Sequence, residues 1–500
     1  MYRWVQFTRD GSSYPRITTA EPGNGSLPPL KNRSGHMLTQ DRTSALKIIA
    51  PLAVFGVLLL MPTPGGLTPE GQRALAIMAL AVAWWATEAL PNAVVGIVGM
   101  VLLVLTGAVP DIGDALFGFS QPVAYFLVGI LTLGLAVHRS GLAERMATFM
   151  IRFAVGNPRL LYMQMLFSFA ALTFALPSAS TRGAIMVHVY EQVLDRWNIP
   201  ADHSLHKAIM MAMGTLNRLG STALLAGGIT PVVASGLLGD FSWTQWFVLM
   251  SVPFYASLIF GGTLLYIFYR SGFRLDQTIS SGQLSLGPIR GAEIRAAAIV
   301  ALTALLWFTD FAHGLHPAVP ALIAMVLILS PRIGLLSWTE FERDIGWSNF
   351  FVIATSLSLA HALVTSGAAA WFSDSLVGSV TGLQNLPLLV LLALCGCFAV
   401  VRMLVPNIAG YLALVIPIAM AAGNSLGLNP LVCGMAVVVV GDSVVYYPAG
   451  GTSGLFIFQR ADITAPEVFR FGLVMTLVAT LVLFVLALPY WNLVGQPLVR

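Results

Sequence analysis

Residues 174–184, Phe-Ala-Leu-Pro-Ser-Ala-Ser-Thr-Arg-Gly-Ala, carry chemistry at odds with their surroundings. They lie between the apolar runs 160–176 and 185–189. Pro177 has no backbone donor, Ser178, Ser180 and Thr181 carry hydroxyls, and Arg182 carries a full charge. In a bilayer core, non-helical backbone survives only where protein buries it or it lines a cavity. The stretch therefore reads as a break at membrane depth. A second limb starting near Thr181 would offer free helix N–H groups to an anion. Arg182 admits two readings: a bidentate clamp for carboxylate or sulfate, or a structural pair or anchor.

A partner break, Met403-Leu-Val-Pro-Asn-Ile-Ala-Gly-Tyr411, places Pro406 229 residues after Pro177. Interrupted apolar segments at matching positions of two halves point to the binding site of a transporter.

The elements that must position these breaks are membrane spans. Of 500 residues, 57% are hydrophobic and 10% charged, and the mean hydropathy is +0.81. Soluble domains carry roughly 25% charged residues, so this is a polytopic membrane protein embedded in a lipid bilayer. The net charge of +4 reports topology and gives no reason to expect nucleic acid. Cys395, Cys397 and Cys433 sit in apolar runs and read as small buried residues. No nucleophile, phosphate-loop or His/Cys/Asp/Glu metal pattern occurs, so no enzyme and no cofactor is expected.

Residues 1–44 read as a disordered cytoplasmic extension without a signal-peptide core, with Met37 as an alternative start. Residues 45–270 hold a first span and repeat one, 271–292 a cytoplasmic linker, and 293–500 repeat two. Spans are expected at 45–61, 73–90, 92–105 and 122–137, with Glu88 at a membrane edge. An amphipathic interfacial stretch at 138–152, a hairpin at 160–194 and an apolar run at 207–238, broken at Gly220-Ser-Thr222 and at Gly227–Pro231, follow. The second half replays this order, with a hairpin at 388–422 and a run at 431–458 broken at Gly441-Asp-Ser443 and Pro448–Gly454. Offsets of 223 to 229 between matching features indicate an internal duplication. Residues 138–159 carry Arg139, Arg145, Arg152 and Arg159, while the counterpart 364–386 carries only Asp374. The positive-inside rule puts the first inside and the second outside, so the halves are inverted, with the N-terminus cytoplasmic. The expected fold is all-α, with two inverted-topology repeats, each with a re-entrant hairpin and a broken helix, and about eleven spans.

Over residues 46–495 the chain resembles the divalent anion/sodium symporters, which carry dicarboxylates, citrate or sulfate. The resemblance rests on Trp84-Trp-Ala-Thr-Glu-Ala-Leu-Pro91, Pro122-Val-Ala-Tyr-Phe-Leu-Val-Gly129, Gly472-Leu-Val-Met475, the two hairpins and the two glycine-rich breaks. It implies an inner-membrane homodimer with scaffold and transport domains and an elevator-like mechanism. The substrate, a small divalent anion, would sit among Ser178, Ser180, Thr181, Arg182, Pro406, Asn407, Thr452 and Ser453. Sodium as coupling ion would draw on Ser178, Ala179, Gly228, Thr230, Asn407, Asp442, Gly450 and Gly451.

The tips depart from the family's Ser-Asn-Thr pattern: tip one reads Ser178-Ala-Ser-Thr181 and tip two Pro406-Asn-Ile408. The breaks read Gly228-Ile-Thr-Pro-Val232 and Gly450-Gly-Thr-Ser-Gly454 in place of Gly-Thr-Pro-Pro-Asn. Proton coupling, exchange, or a non-transporting sensor or structural role therefore stand as alternatives to sodium symport. Asp442 reads as a cation or proton ligand, or as the ion-pair partner of Arg182 or Arg402. His188 and His361 read as packed helix residues rather than a proton relay.

Overall fold

The computed structural model describes residues 34–151, 156–176, 178–274, 287–378, 386–448 and 454–499. The chain divides into two compact units, Met1–Leu46 and Lys47–Arg500. The helix Ser34–Leu60 starts ahead of the boundary at residue 45 read from the sequence.

Among the described residues the fold is all-helical, with one isolated antiparallel bridge between Leu428 and Val499 and no strand. Among the described residues seven helices are long and apolar enough to cross a membrane, and five shorter apolar helices accompany them. The helix starts follow local chemistry. Thr68 caps Pro69–Thr87 by accepting the Gly71 N–H, and Pro122, Pro158, Pro387 and Pro430 each sit in a first turn that needs no donor. Gly141, at φ +85°, ends Pro122–Ser140 in the left-handed conformation.

Burial sorts the helices. Pro122–Ser140 buries 72% of its apolar window, against 33% for Gly291–Phe308 and 39% for Pro387–Leu404. The less buried helices turn Leu302, Leu305, Leu388 and Leu404 outward. An apolar outer face of this kind suits hydrocarbon rather than water.

The element order of the two halves corresponds. Pro122–Ser140, Leu142–Ile151, the hairpin Pro158–Ala171/Ala179–Arg196 and a broken helix precede Trp243–Phe268. Trp347–Thr365, Ala368–Gly378, the hairpin Pro387–Leu404/Ile408–Ser425 and a second broken helix precede Ala465–Val482. The halves are locked by close backbone packing, for which small residues are suited in membranes. Gly118 donates its N–H to Ser358 Oγ at 3.0 Å, and a Cβ at Gly118 would stand 1.8 Å from the Ala354 carbonyl oxygen. At the end of Pro122–Ser140, Arg139 pairs with Asp344 at 2.7 Å. Hydrogen bonding from Arg343, and then from Arg139, holds the Asp344 carboxyl below the usual carboxylate range.

The expectation of three buried cysteines needs one correction. Cys395 and Cys433 are buried, but Cys397 is exposed because it lies two positions from Cys395 and so falls on another face of the helix.

Gly118→Ala is expected to destabilise the fold by roughly 1–3 kcal/mol, because a backbone oxygen cannot swing away as a side chain can. Gly56, with open space around its Cβ position, is the control. Thermal unfolding in detergent should separate the two alanine variants, and equal melting temperatures would refute the close contact.

Candidate functional site

The first hairpin turns where the sequence breaks. A 3₁₀ turn at Leu172–Phe174 ends its first limb, and the second limb is Ala179–Arg196. It begins two residues ahead of Thr181 because Ser178 caps it. Ser178 Oγ accepts the Thr181 N–H at 3.2 Å and the Thr181 hydroxyl at 3.0 Å.

Arg182 is fully buried. Its Nε donates to Asn217 Oδ1 at 2.7 Å and its Nη1 to the Leu176 carbonyl at 3.0 Å. Its Nη2 donates to the Asn217 carbonyl at 2.9 Å and to Ser221 Oγ. Asn217 Nδ2 in turn donates to the Ala179 carbonyl at 2.8 Å. Both sides of tip one are thus sewn to the short helix Asn217–Thr222. Of the two readings of Arg182, this geometry is the structural one, since every guanidinium nitrogen already donates within the chain.

The second hairpin repeats the device. Asn407 caps Ile408–Ser425, its Oδ1 accepting the N–H groups of Ala409 at 3.0 Å and Gly410 at 3.3 Å. Arg402, 2% exposed, donates from Nη1 to the carbonyls of Val405 at 2.6 Å and Pro406 at 3.1 Å. Its Nε reaches the Gly441 carbonyl at 3.0 Å, at the end of the broken helix Pro430–Asp442. In each half an arginine takes carbonyls released by a tip and ties them to the adjacent break.

The two breaks meet at Asp442, which is fully buried. Its Oδ2 accepts from Thr222 and its Oδ1 from Thr230 at 3.0 Å. Arg218 Nη1 lies 3.7 Å from Oδ1, and Arg218 Nη2 donates to the Val444 carbonyl. A carboxylate at a helix C-terminus opposes the macrodipole, so these donors are what make its position tenable. The ion-pair reading of Asp442 thus has a different partner from those considered, Arg218 in place of Arg182 or Arg402. The sequence reading passes over Asn217 and Arg218, and it places Ser221 and Thr222 in a break without giving them a role. The available signal was Arg218 itself, a charge inside the apolar run 207–238. Helix Asn217–Thr222 turns back so tightly that a Cβ on Gly227 would stand 1.8 Å from the Ser221 carbonyl oxygen.

Several buried polar atoms around this crossing have no partner among the described residues: Asn407 Nδ2, Ser443 Oγ, Arg218 Nε and the Tyr411 hydroxyl. Two are donors only, and each hydroxyl can donate. The residues considered for sodium offer a different chemistry. Both Asp442 oxygens, Ser178 Oγ, Asn407 Oδ1 and the Ala179 carbonyl already accept hydrogen bonds, and the Thr230 hydroxyl faces Asp442. Gly228 precedes the helix Ile229–Leu238. These oxygens keep further lone pairs, so the described residues offer open donors beside acceptors that are already shared. Pro177, Gly450, Gly451, Thr452 and Ser453 lie outside the described residues.

The remaining candidates lie apart. His188 is exposed and bonds Gln192 at 2.9 Å, and His361 stacks on Phe117 with ring centroids 3.8 Å apart. Glu88 is exposed at the end of Pro69–Thr87.

Two hairpins facing two broken helices in an all-helical membrane fold define a polytopic transporter. The model of the family described as the sodium:sulfate symporter transmembrane region matches residues 42–496, and the chain belongs to that family. An L-tartrate/succinate antiporter of Escherichia coli (strain K12) is 23% identical over 477 residues, covering 88% of this chain and 97% of the relative. A membrane protein of Cupriavidus necator is 23% identical over 480 residues, covering 90% and 92%. The crystal structure of the Alcanivorax borkumensis YdaH transporter matches the fold with a TM-score of 0.54 at 15% identity, covering 78% of this chain and 88% of that one.

Arg182→Lys and Arg402→Lys should each lower stability by roughly 1.5–3 kcal/mol for each charge-assisted bond left unmade, since an ammonium cannot reproduce the planar fork. The melting temperature of the purified variants checks this. Unchanged values would mean that the tips are not held by these bonds.

Proposed function

We propose that this protein is a secondary active transporter of small dicarboxylates, with sulfate the next candidate, working by alternating access. The observation that carries the reading is the pair of helix N-termini at the tips, capped by Ser178 and Asn407 and each braced by a buried arginine. Helix N-termini present N–H groups and a positive dipole end, the pairing a carboxylate needs. Ser178, Ser180, Thr181, Pro406, Asn407, Thr452 and Ser453 would surround the anion, and Arg182 would hold tip one in shape. The named activity of the tartrate/succinate antiporters, similar over nearly their whole length, supports a dicarboxylate.

In this reading the halves are inverted repeats. The hairpins and broken helices move as one body against a scaffold in an elevator-like step, within a homodimer. The arginines of residues 138–159 and the N-terminus face the cytoplasm, and the protein resides in the inner membrane.

Labelled succinate, citrate and sulfate uptake into proteoliposomes tests this. Succinate should enter and compete with citrate more strongly than sulfate does; no uptake of any anion would refute the reading. Asn407→Asp, which keeps an N-capping oxygen but replaces the open amide donor by a negative charge, should cut succinate uptake at least about tenfold, the equivalent of one charge-assisted bond. Asn407→Asp transport at the wild-type rate would remove Asn407 from the site.

A further inference from the structure

Another polar cavity lies outside the hairpins and broken helices, where the helix through Leu60 ends and Pro69–Thr87 begins. It measures about 410 Å³, and Leu59, Met61, Thr63, Gln72, Arg73 and Thr106 are among its walls. Sites for small ligands span roughly 300–1,000 Å³.

The frame of this cavity is fixed. Gln72 Nε2 donates to the carbonyls of Leu58 and Met61, each at 2.8 Å, and Gln72 Oε1 accepts from the Thr63 hydroxyl at 2.6 Å. These bonds take carbonyls that a helix end leaves without an intrahelical partner. Trp371 Nε1 donates to the Gly65 carbonyl at 3.1 Å and the Thr68 hydroxyl to the Ser366 carbonyl at 2.8 Å, which holds the connecting loop from its other side.

Gln72 is spent on this frame, but Arg73 is not. A guanidinium has five donors, and among the described residues one bond from Arg73 Nη1 reaches the Gly107 carbonyl at 3.1 Å. Glu70 stands 3.8 Å from that nitrogen, beyond hydrogen-bond distance, and both side chains stay partly exposed. The N-terminus of Pro69–Thr87 adds a positive dipole end beside them. A guanidinium fork next to a carboxylate, with no hydrogen bond between the two, matches a ligand that carries a phosphate and an ammonium a few bonds apart.

The surface that adjoins the cavity is apolar. The helix through Leu60 exposes Val54, Val57 and Leu60, and Asn92–Leu105, which ends at Thr106, exposes Val101 and Leu105. Leu60 is 88% exposed and Leu105 76%. Residues three and four apart share a helix face, so two apolar stripes run along these helices from the cavity. A water-soluble ligand would leave the stripes bare, whereas acyl chains cover them.

We propose that this cavity is a headgroup site for a phospholipid of the phosphatidylethanolamine class. Arg73 holds the phosphate oxygens, Glu70 accepts from the primary ammonium, and the acyl chains lie along the two stripes. The inference does not rest on the dicarboxylate reading. Arg73 supplies affinity for any phospholipid. Glu70 supplies the choice among them: a choline headgroup has no N–H to donate, and a glycerol headgroup has no charge to balance the carboxylate.

The test uses the purified full chain, stripped of lipid in detergent. Dioleoyl phosphatidylethanolamine, phosphatidylcholine and phosphatidylglycerol are added in turn, as is inorganic phosphate alone. Native mass spectrometry counts retained lipid, and the melting temperature reports the gain in stability. Phosphatidylethanolamine is expected to bind at least about tenfold more tightly than the other two lipids, the equivalent of one charge-assisted bond, and to raise the melting temperature most. Arg73→Gln should lose the thermal shift with all three lipids. Glu70→Gln should keep binding but bring phosphatidylethanolamine and phosphatidylglycerol within about twofold of each other. If Arg73→Gln does not fold, wild type and Glu70→Gln still decide the matter. Equal binding of the three lipids by wild type, an unchanged preference in Glu70→Gln, or an unchanged shift in Arg73→Gln overturns the inference. A shift of the same size with inorganic phosphate alone overturns it too, since the site would then bind a free anion. Each of these outcomes leaves the dicarboxylate reading intact, because none of them measures transport.

Discussion

A backbone carbonyl released at membrane depth has no water to turn to, and the architecture around both hairpins follows from that constraint. Each tip and each broken helix frees such groups. Arg182 takes the Leu176 and Asn217 carbonyls, and Arg402 takes those of Val405, Pro406 and Gly441. One fork of five donors serves several acceptors at once, which explains why arginine stands at both positions. The burial of each guanidinium is tolerable for the same reason, since its hydrogen bonds replace those of water.

The network has a direction. It runs from tip one through Arg182 to Asn217 and Ser221, across Arg218, Thr222 and Thr230 to Asp442, and on through Gly441 and Arg402 to tip two. Hairpins and breaks from the two halves are joined as one polar body inside apolar walls. Such a body can present a formed anion site without rearranging its own donors. Within it Asn407 Nδ2, Arg218 Nε, Ser443 Oγ and the Tyr411 hydroxyl are left without a partner among the described residues.

Much of this was legible in the sequence, for physical reasons. Proline, hydroxyls and glycine pairs inside apolar runs mark the breaks, whereas the capping roles of Ser178 and Asn407 come from the geometry. The span order follows from hydropathy, though the helix through Leu60 begins at Ser34, where the residues are polar and no apolar pattern announces it. Pairings across the fold were not legible. Asp442 and Arg218 are 224 residues apart, and nothing local says which of several buried arginines a carboxylate meets. Arg182 shows the same limit from the other side. A charge at a hairpin tip suggests a ligand clamp, whereas the geometry gives its nitrogens to the neighbouring carbonyls and to Asn217 and Ser221.

The central claim is that one dianion sits at the crossing of the hairpin tips and the broken helices. A cryo-electron-microscopy map of the full protein with saturating succinate tests it directly. The account predicts succinate density within hydrogen-bonding reach of Asn407 Nδ2, with Asp442 still held by Thr222 and Thr230. Succinate density elsewhere in the fold, or none at saturation, would contradict it.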